Sequence, residues 1–598
     1  MKLSRLYSNL PELFWPIDFS PGLNVVLAEI RLPKNRNKDT HNLGKTTVSP
    51  LLDFCFLADR EPAFFLFQYP NLFKDFIFFL EIELEDSSFV TVRRSIEEAS
   101  KISFKKHEAG HQDFTASSDS EWNHLNMPFD RAREMLDGLL DWRALKPWQY
   151  RKGLGYQLRT QDDYTDVFTL RKYAGAQSDW KPYMAHILGF NDELVTLHYE
   201  KEEKLKKAEA TAQTVKNELG GSVEDLSKIE GILLLKRQEA DKKQKLLDAF
   251  DFRVQDKGHT KELVDKVDTQ IADLNAERYS LQQNRKKIVA SLEDDQILFD
   301  PDEAQRLFAQ AGVLFEGQIK KDFQQLISFN QAITAERRSY LQTERAEVEA
   351  ELKRVGNELN TLGKQRSDIL GYLSDTDAFH KYKAIADEMV TLRASISALD
   401  RQRGFLHRLQ ELRTEIRTLT EDRGHVQTQI EADVEQQNAD RNSLFSTIRV
   451  FFSEIVEDVI ARKALLSVFP NRMGHLQFKA EILDEDGNAT SADRGHTYRK
   501  LLCIAFDLAV LRAHLDVKFP RFVFHDGVFE SLDDRKKENL LTVIRSYVDL
   551  GIQPIITLID SDLPVRAAVD PPVFDASEII LTLHDENEQG RLFKMRAW

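Results

Sequence analysis

Residues 23–58 read LNVVLAEIRLPKNRNKDTHNLGKTTVSPLLDFCFLA. The apolar run at 23–30 predicts a β-strand, and the helical spacing of apolar residues after the Gly-Lys-Thr at 44–46 predicts a helix. The tripeptide matches the end of the phosphate-loop pattern G-x-x-x-x-G-K-[ST], although Asp39 occupies the place of the first glycine. A loop that leads into a helix presents backbone N–H groups to an anion. The stretch therefore predicts a phosphate site; the alternative is an ordinary surface lysine at a helix start.

The composition argues against several classes of protein. The chain has 598 residues and a formal net charge of −16, so bulk charge does not hold it to nucleic acid or membrane. Cys55 and Cys503 are the only cysteines, which excludes a disulfide framework within one chain and fits a reducing, cytoplasmic setting. We find no apolar run of about 18 residues and no signal-peptide pattern. The sequence predicts a cytoplasmic protein without membrane spans.

Composition divides the chain into three zones, at 1–190, 191–443 and 444–598. The first and last zones alternate apolar strands with helical segments, which favours parallel-sheet α/β structure. The middle zone is dominated by Glu, Lys, Arg, Gln and Leu. Within 343–373 its apolar residues follow a heptad pattern, as they do in several neighbouring segments. We expect a coiled coil that folds back once, with a turn near 300–330; the alternative is a globular helical bundle.

A second candidate motif lies in the last zone, in RFVFHDGVFESLDD at 521–534. The predicted strand ends in Asp526, which is how a Walker B motif delivers a carboxylate toward Mg²⁺ beside a phosphate loop. The alternative is a turn or helix-capping aspartate after a strand. Just upstream, SADRGHTYRKLLCIAFDLAVL at 491–511 predicts a polar loop that leads into a buried helix. Such a loop could bind the γ-phosphate of a nucleotide held by a second copy of the protein.

These split motifs, separated by a folded-back coiled coil, resemble the SMC-type ABC ATPases, including the RecN and RecF-like repair proteins. The segments NLGKTTVSPLLDFCF and HDGVF are similar to those of an uncharacterised bacterial group with a C-terminal domain of unknown function. The resemblance implies an α/β ABC-type P-loop NTPase head assembled from the N- and C-terminal segments, with a long α-helical coiled-coil insertion. It also implies ATP and Mg²⁺ as cofactors and head-to-head homodimers. DNA and separate partner proteins, in DNA repair or anti-phage defence, are the implied partners.

The resemblance also implies roles for individual residues. Thr46 and Asp526 correspond to Mg²⁺ ligands. The Q-loop glutamine is Gln157 or Gln161, with Gln161 preferred. Gly495 of the signature loop and Asp533 of the D-loop correspond to residues that reach the nucleotide of the partner copy. The residues expected to bind nucleotide are Asn42, Gly44, Lys45, Thr46, Thr47, Gln161, Gly495 and Asp533.

Three departures from the family pattern concern catalysis. Gly527 replaces the glutamate that usually follows the Walker B aspartate, Leu558 replaces the switch histidine, and RGHTY lacks the two glycines of the signature. Loss of a general base removes about 10² to 10⁴ of rate. Glu530 is a candidate substitute that would act with Asp526, although a surface charge is the simpler interpretation. We therefore expect ATP binding with slow or partner-dependent hydrolysis; the alternative function is a non-hydrolysing coiled-coil scaffold with a vestigial nucleotide fold.

Positive charge is concentrated in two short segments, at 31–38 and 143–159. The second segment interleaves its cations with Trp148, Tyr150 and Tyr156, a mixture that suits a nucleic-acid backbone. Ordinary solvated surface is the default explanation for both segments.

Overall fold

A computed structural model describes most of the chain. The described residues are 1–35, 43–171, 175, 177–218, 226–249, 257–293, 317–371, 377–490, 495–565 and 571–596. The predicted coiled-coil turn near 300–330 lies partly outside them, and Gly317–Gly371 is helical.

The strands and helices are numbered here in chain order. The strands are β1 Lys2–Ser8, β2 Ile17–Asp18, β3 Asn24–Glu29, β4 Ile77–Glu83, β5 Phe89–Ser95, β6 Lys101–His107, β7 His124–Pro128, β8 Leu158–Arg159, β9 Ala464–Pro470, β10 Leu476–Ile482, β11 Phe522–Asp526, β12 Gln553–Ile559 and β13 Ile579–His584. The helices are α1 Val48–Cys55, α2 Phe65–Gln68, α3 Pro70–Phe73, α4 Phe129–Leu140, α5 Tyr150–Gln157, α6 Gln177–Ile187, α7 Asp192–Glu218, α8 Leu226–Asp248, α9 Lys257–Glu293, α10 Gly317–Gly371, α11 Asp377–Ala439, α12 Leu444–Ile460, α13 His496–Ala513 and α14 Asp534–Asp549.

The chain forms two compact units. One contains Met1–Glu202 together with Asp422–Trp598, and the other contains Glu203–Glu421. In the first unit the two ends of the chain share one hydrophobic core, which includes Val26 of β3 and Ile556 of β12. Residues far apart in sequence therefore meet in this unit.

A five-stranded parallel sheet lies in the first unit, in the order β13-β3-β12-β11-β8. Strands β3 and β8 come from the N-terminal segment, and the other three come from the C-terminal segment. The strands β3, β11 and β12 are almost fully buried. Continuous apolar runs of this kind are typical of parallel strands that are covered on both faces. The predicted strand at 23–30 and the predicted strand that ends in Asp526 therefore meet in one sheet.

The remaining strands of the first unit are antiparallel, so parallel-sheet structure accounts for only part of the two flanks. Six of them form a sheet in the order β2-β1-β4-β5-β6-β7. Strands β9 and β10 form a separate hairpin. Short connections join β4 to β5 and β5 to β6, as is usual for antiparallel neighbours, whereas parallel neighbours need long crossovers.

The second unit consists of paired long helices. Positions of the predicted heptad pattern are buried in it, including Val267 and Ile288 of α9 and Val348 and Val355 of α10. Side chains of α8 likewise pack against α11, as in the apolar cluster of Ile229, Leu233 and Leu406. The described helices of this unit therefore bury their apolar positions against neighbouring helices, as the heptad pattern predicts.

Ion pairs fix the direction of the pairing between α9 and α10. Asp268, Glu277 and Arg285 of α9 pair in that order with Arg366, Arg354 and Glu349 of α10, at 2.6, 2.9 and 3.0 Å. One residue number rises as the other falls, so the two helices run antiparallel.

Among the described helices of either unit, none combines the length and apolar character needed to cross a membrane.

Candidate functional site

The predicted site residues converge on the carboxyl ends of the parallel strands. Asp526 ends β11, and Gln161 follows β8. Lys45 starts the 3₁₀ turn that precedes α1, and Asp562 follows β12. Because parallel strands end at the same edge of a sheet, these side chains come together from both segments of the chain. This edge is the usual location of ligand sites in open α/β sheets.

The Gly-Lys-Thr turn begins with a left-handed backbone conformation that favours glycine. Gly44 has φ +96°, and a Cβ atom at this position would lie 2.8 Å from Cβ of Leu592. A 3₁₀ turn, Lys45–Thr47, follows and leads directly into α1. Thr46 is exposed and Thr47 is half-buried in this turn, whereas Asn42 lies outside the described residues. The turn therefore presents Lys45 and Thr46 at the start of a helix, as the sequence predicts.

The Lys45 ammonium group is buried without a hydrogen-bond partner among the described residues. Its Nζ lies 3.5 Å from Oε1 of Glu530. The two groups form an ion pair whose separation is longer than that of an ordinary hydrogen bond. A buried ammonium that lacks hydrogen bonds is costly, and an anionic ligand would supply the missing acceptors. Lys45 is therefore poised to bind an anion.

Asp526 is almost fully buried, with 1% of its surface exposed. The Thr557 hydroxyl donates a hydrogen bond to its Oδ1, and that hydroxyl in turn accepts one from the Gly527 backbone at 3.1 Å. Burial raises the pKa of the Asp526 carboxyl group, while the Thr557 hydrogen bond and the charge of Lys45 oppose the shift. The carboxylate is thus held in a fixed orientation in a poorly hydrated place, where a cation would stabilise its charged form.

Glu530 contacts three site residues that are distant in sequence. Its Oε1 accepts a hydrogen bond from Gln161 Nε2 at 2.7 Å, on the same oxygen that faces Lys45. Its Oε2 accepts one from Lys500 Nζ at 2.9 Å. Lys500 also donates to the Gly527 carbonyl oxygen at 2.8 Å. Glu530 therefore joins the phosphate-loop turn, the segment after β8 and the helix α13.

Gly527 has no side chain, and the side chains of Glu530 and Gln161 fill the space beside it. A Cβ atom at this position would lie 2.6 Å from Glu530 Oε1 and 2.8 Å from Gln161 Nε2. The backbone at Gly527 also has φ +65°, in the left-handed region that favours glycine. The Glu530 carboxylate thus occupies the space into which a side chain at position 527 would extend.

Other predicted residues have local structural roles as well. Asp533 caps α14, since its side chain accepts a hydrogen bond from the Lys536 backbone at 3.0 Å, and it also pairs with the Lys536 ammonium. Gly495 is exposed and immediately precedes α13, while residues 491–494 lie outside the described residues. Of the two candidate glutamines, Gln161 reaches Glu530, whereas Gln157 is buried at the end of α5.

Leu558, which stands where the family pattern has the switch histidine, lies inside β12 and is fully buried. The next polar turn carries Asp562, whose pKa is raised by burial and then by the nearby charge of Glu530. Sequence reasoning missed Asp562, although a carboxylate just past a buried strand of a parallel sheet is a usable signal.

Sequence reasoning also missed Lys500 and Thr557. Lys500 lies in the buried helix α13 with its side chain 3% exposed. A lysine among apolar helical residues is rarely buried unless its charge is paired, so its position in RKLLCIAF was a signal of a buried partner. Thr557 has no comparable signal, because threonine is common in strands.

Most described cations of the two basic segments are already paired with carboxylates. Arg151 pairs with Asp53 at 2.6 Å, and Arg31 pairs with Glu29 and Glu586. Arg159 is fully buried and donates two hydrogen bonds of 2.8 Å to Asp507. Residues 36–38 of the first segment lie outside the described residues. Arg159 is therefore a structural residue and not a surface contact for DNA.

Comparison with known proteins gives a family match in one segment. Residues 455–597 match a family described as an uncharacterised protein conserved in bacteria, DUF2326. This range contains Asp526 and Glu530. Among curated proteins, none matches the sequence.

Among solved structures, the chain is similar to head domains of Smc. One, with a coiled coil and joint and derived from Pyrococcus yayanosii, has 15% identity over 93% of this chain and 92% of that chain, with a TM-score of 0.35. Another has an extended coiled coil, is bound to the C-terminal domain of ScpA and is derived from Pyrococcus furiosus. It has 12% identity over 94% of this chain and 90% of that chain, with a TM-score of 0.33.

Proposed function

We propose that the protein is an SMC/RecN-like ATP-binding protein, with an ABC-type head, that forms ATP-dependent head-to-head dimers. The observation that carries this proposal is the convergence of Lys45, Gln161, Asp526 and Glu530 at the carboxyl edge of one parallel sheet. These are residue types that bind phosphate, divalent metal and water, and they come from both ends of the chain.

Lys45 is the residue that would contact the ATP phosphates. Its buried Nζ lacks a hydrogen-bond partner among the described residues, and Gly44 gives the turn the backbone conformation it needs. Phosphate oxygens would accept hydrogen bonds from the Lys45 ammonium group. They would compete with the Glu530 carboxylate for the positive charge of Lys45. ATP binding would therefore separate the Lys45 ammonium from the Glu530 carboxylate.

Thr46 and Asp526 would hold the Mg²⁺ ion. Asp526 offers a fixed carboxylate whose ionised form is disfavoured by burial, which suits a cation ligand. Mg²⁺ would neutralise charge on the phosphates when bound. Gln161, hydrogen-bonded to Glu530, is placed to position a water molecule or the ion.

Hydrolysis, where it occurs, would depend on Glu530. It fills the space beside Gly527, where the usual catalytic glutamate is missing, and it is held by Gln161 and Lys500. A carboxylate held in this way can orient a water molecule, but its two lysine neighbours compete for its lone pairs. We therefore infer a slow or partner-dependent ATPase.

The partner copy would complete each nucleotide site through Gly495 and Asp533. Gly495 is exposed and immediately precedes the 18-residue helix α13, and Asp533 caps α14. We further infer action on DNA or with separate partner proteins, in repair or anti-phage defence. The net charge of −16 means that any DNA contact uses a local patch.

Lys45→Ala tests the proposal. We expect wild-type protein to bind ATP and to double its mass in light scattering when ATP and Mg²⁺ are added, and we expect Lys45→Ala to lose both properties. Lys74→Ala, which removes an exposed lysine of the same unit, is the matched control and should behave like wild type. Absence of ATP binding in the wild-type protein would contradict the proposal.

The second candidate function is a non-hydrolysing scaffold. It is favoured by one specific observation, that neither Gly527 nor the buried Leu558 supplies a catalytic side chain. Phosphate release distinguishes the two functions. A scaffold releases no phosphate above background, with or without DNA, even when ATP binds.

A further inference from the structure

A cluster of two histidines and a glutamate lies outside the site described above. Its members are His198, Glu202 and His475, and one ligand atom from each lies within 4.8 Å of the others. His475 Nε2 and Glu202 Oε2 are 2.9 Å apart. All three residues belong to the unit formed by the two ends of the chain. Three potential metal ligands of two chemical types thus face a common point.

Two of the three come from one helix. His198 and Glu202 are four residues apart in α7, so their side chains lie on the same helix face, one turn apart. His198 is 1% exposed and Glu202 is 9% exposed. A carboxylate is rarely buried to this extent unless a positive group or a metal compensates its charge.

The third residue is fixed by the turn between β9 and β10. The side-chain oxygen of Asn471 accepts hydrogen bonds from the backbone of Met473 at 2.9 Å and of His475 at 3.1 Å. Gly474 within this turn has φ +83°, and a Cβ atom there would lie 2.7 Å from His198 Nε2. The glycine therefore allows the turn to approach the His198 ring, and the turn holds His475 beside Glu202.

His198 presents a nitrogen without a partner to this cluster. Its Nε2 is buried and has no hydrogen-bond partner among the described residues. A metal ion bound by this nitrogen would supply the partner that it lacks.

We propose that His198, Glu202 and His475 bind a divalent transition-metal ion, with Zn²⁺ as the best match. Two imidazole nitrogens and one carboxylate oxygen are a common Zn²⁺ ligand set, with a fourth position left for water. Mg²⁺ prefers oxygen ligands, so this site differs in chemistry from the proposed Mg²⁺ position at Asp526. Tetrahedral ligands about 2.1 Å from Zn²⁺ lie roughly 3.4 Å from one another. Small side-chain rotations would bring the three atoms to that spacing.

The bound metal would tie the first turns of α7 to the β9–β10 turn. These two segments are distant in sequence and are joined at this point through the cluster. The proposal does not depend on nucleotide binding.

Zinc content and thermal stability test the site. The full-length protein is stripped with a chelator, incubated with Zn²⁺ alone, dialysed and analysed for metal by mass spectrometry. We expect one Zn²⁺ per chain in wild type and a rise in Tm on Zn²⁺ addition. His198→Ala and His475→Ala should lose both the bound metal and the Tm rise. Binding of no Zn²⁺ by wild type, or retention of one Zn²⁺ by either variant, would overturn the proposal.

Two further variants guard against simple unfolding. Glu202→Gln keeps the shape of the side chain and removes its charge, and it should weaken Zn²⁺ affinity by more than the roughly tenfold cost of an outer-shell change. His111→Ala is the matched control, because His111 lies beside Asp18 at 3.5 Å in an exposed pair that belongs to no group of three potential ligands within the part of the chain that the structure describes. It should retain one Zn²⁺. An unchanged affinity in a folded Glu202→Gln protein would also contradict the site.

Discussion

The Glu530 carboxylate lies where a side chain on Gly527 would begin. A Cβ atom at Gly527 would be 2.6 Å from Glu530 Oε1, closer than carbon and oxygen atoms approach without a bond. The two positions therefore exclude one another, so that a glutamate at 527 and the observed Glu530 arrangement cannot coexist. The Glu530 carboxylate can therefore take its observed position because residue 527 is a glycine and not the usual glutamate.

Glu530→Gln should slow phosphate release and leave ATP binding intact. If Glu530 orients the attacking water, loss of its negative charge should reduce the rate by about 10² to 10⁴, whereas the amide keeps the shape of the side chain. Phosphate release and ATP affinity are measured separately. Glu97→Gln makes the same chemical change at an exposed carboxylate of the same unit and should release phosphate at the wild-type rate. Equal rates in Glu530→Gln and wild type would exclude Glu530 as the water-orienting group.

Gly527→Ala should destabilise the protein and disturb the Glu530 contacts. The substitution forces a Cβ atom into the Glu530 carboxylate at a left-handed backbone position, which costs about 1–3 kcal/mol of unfolding free energy from the backbone alone. Denaturant unfolding measures the loss. Gly551→Ala separates the two effects, because Gly551 has φ +82° but has no atom within 4 Å of the added carbon. A loss in Gly527→Ala no larger than that in Gly551→Ala would mean that Glu530 moves aside freely.

Asp526→Asn should raise the free energy of unfolding at neutral pH in the absence of ligand. Burial raises the pKa of Asp526, so its ionised form costs stability above that pKa, and asparagine carries no charge while keeping an acceptor for Thr557. The gain should shrink as the pH falls through the raised pKa toward the ordinary value of 3.8, because the wild-type carboxyl becomes protonated, and loses its buried charge, in the folded state at a higher pH than in the unfolded state. Denaturant unfolding between about pH 4 and about pH 8 measures this trend.

Asp533→Asn makes the same chemical change at a carboxyl group whose pKa is lowered, so the change in stability should have the opposite sign. The hydrogen bond from Lys536 lowers the pKa of Asp533, so the ionised form contributes stability above the ordinary pKa, and this contribution is lost as the pH falls through the lowered one. Asp533→Asn should therefore be less stable than wild type near neutral pH and should approach it in acid. The same sign of change in both variants would contradict the electrostatic explanation.

Arg159→Met should lower stability and should not act through DNA. Removal of the guanidinium leaves the Asp507 carboxylate buried beside His525 with its main partner missing, and breaking a buried pair costs about 3–5 kcal/mol. Unfolding in denaturant measures the effect. The double change Arg159→Met with Asp507→Leu removes both charges and should recover part of the loss. A DNA-contacting arginine would instead change DNA affinity at unchanged stability.

Local sequence patterns were sufficient for the elements that carry the site. The apolar run of β3, the Gly-Lys-Thr turn and the strand that ends in Asp526 have strong local signals, because buried parallel strands and phosphate-loop turns restrict their residue types. The heptad positions of the middle helices are equally local. Their burial in the structure follows from the 3.5-residue repeat alone.

Contacts between distant segments could not be predicted in the same way. Gln161 and Glu530 are 369 residues apart, and no local pattern states that they meet. The cluster of His198, Glu202 and His475 could not be predicted for the same reason. His198 and Glu202 lie one turn apart in a helix, but only their contact with His475 suggests a metal site. The antiparallel sheet was underestimated because strand propensity does not distinguish parallel from antiparallel partners.

The antiparallel ion pairs between α9 and α10 have a consequence for changes in chain length. A deletion of one heptad from α9 alone would move every later α9 residue past its α10 partner, and the charges at Asp268 and Arg366 would no longer face each other. A matched deletion from α10 at the same level would restore the register. Natural insertions and engineered truncations in this unit should therefore come in pairs, one in each helix and of equal length.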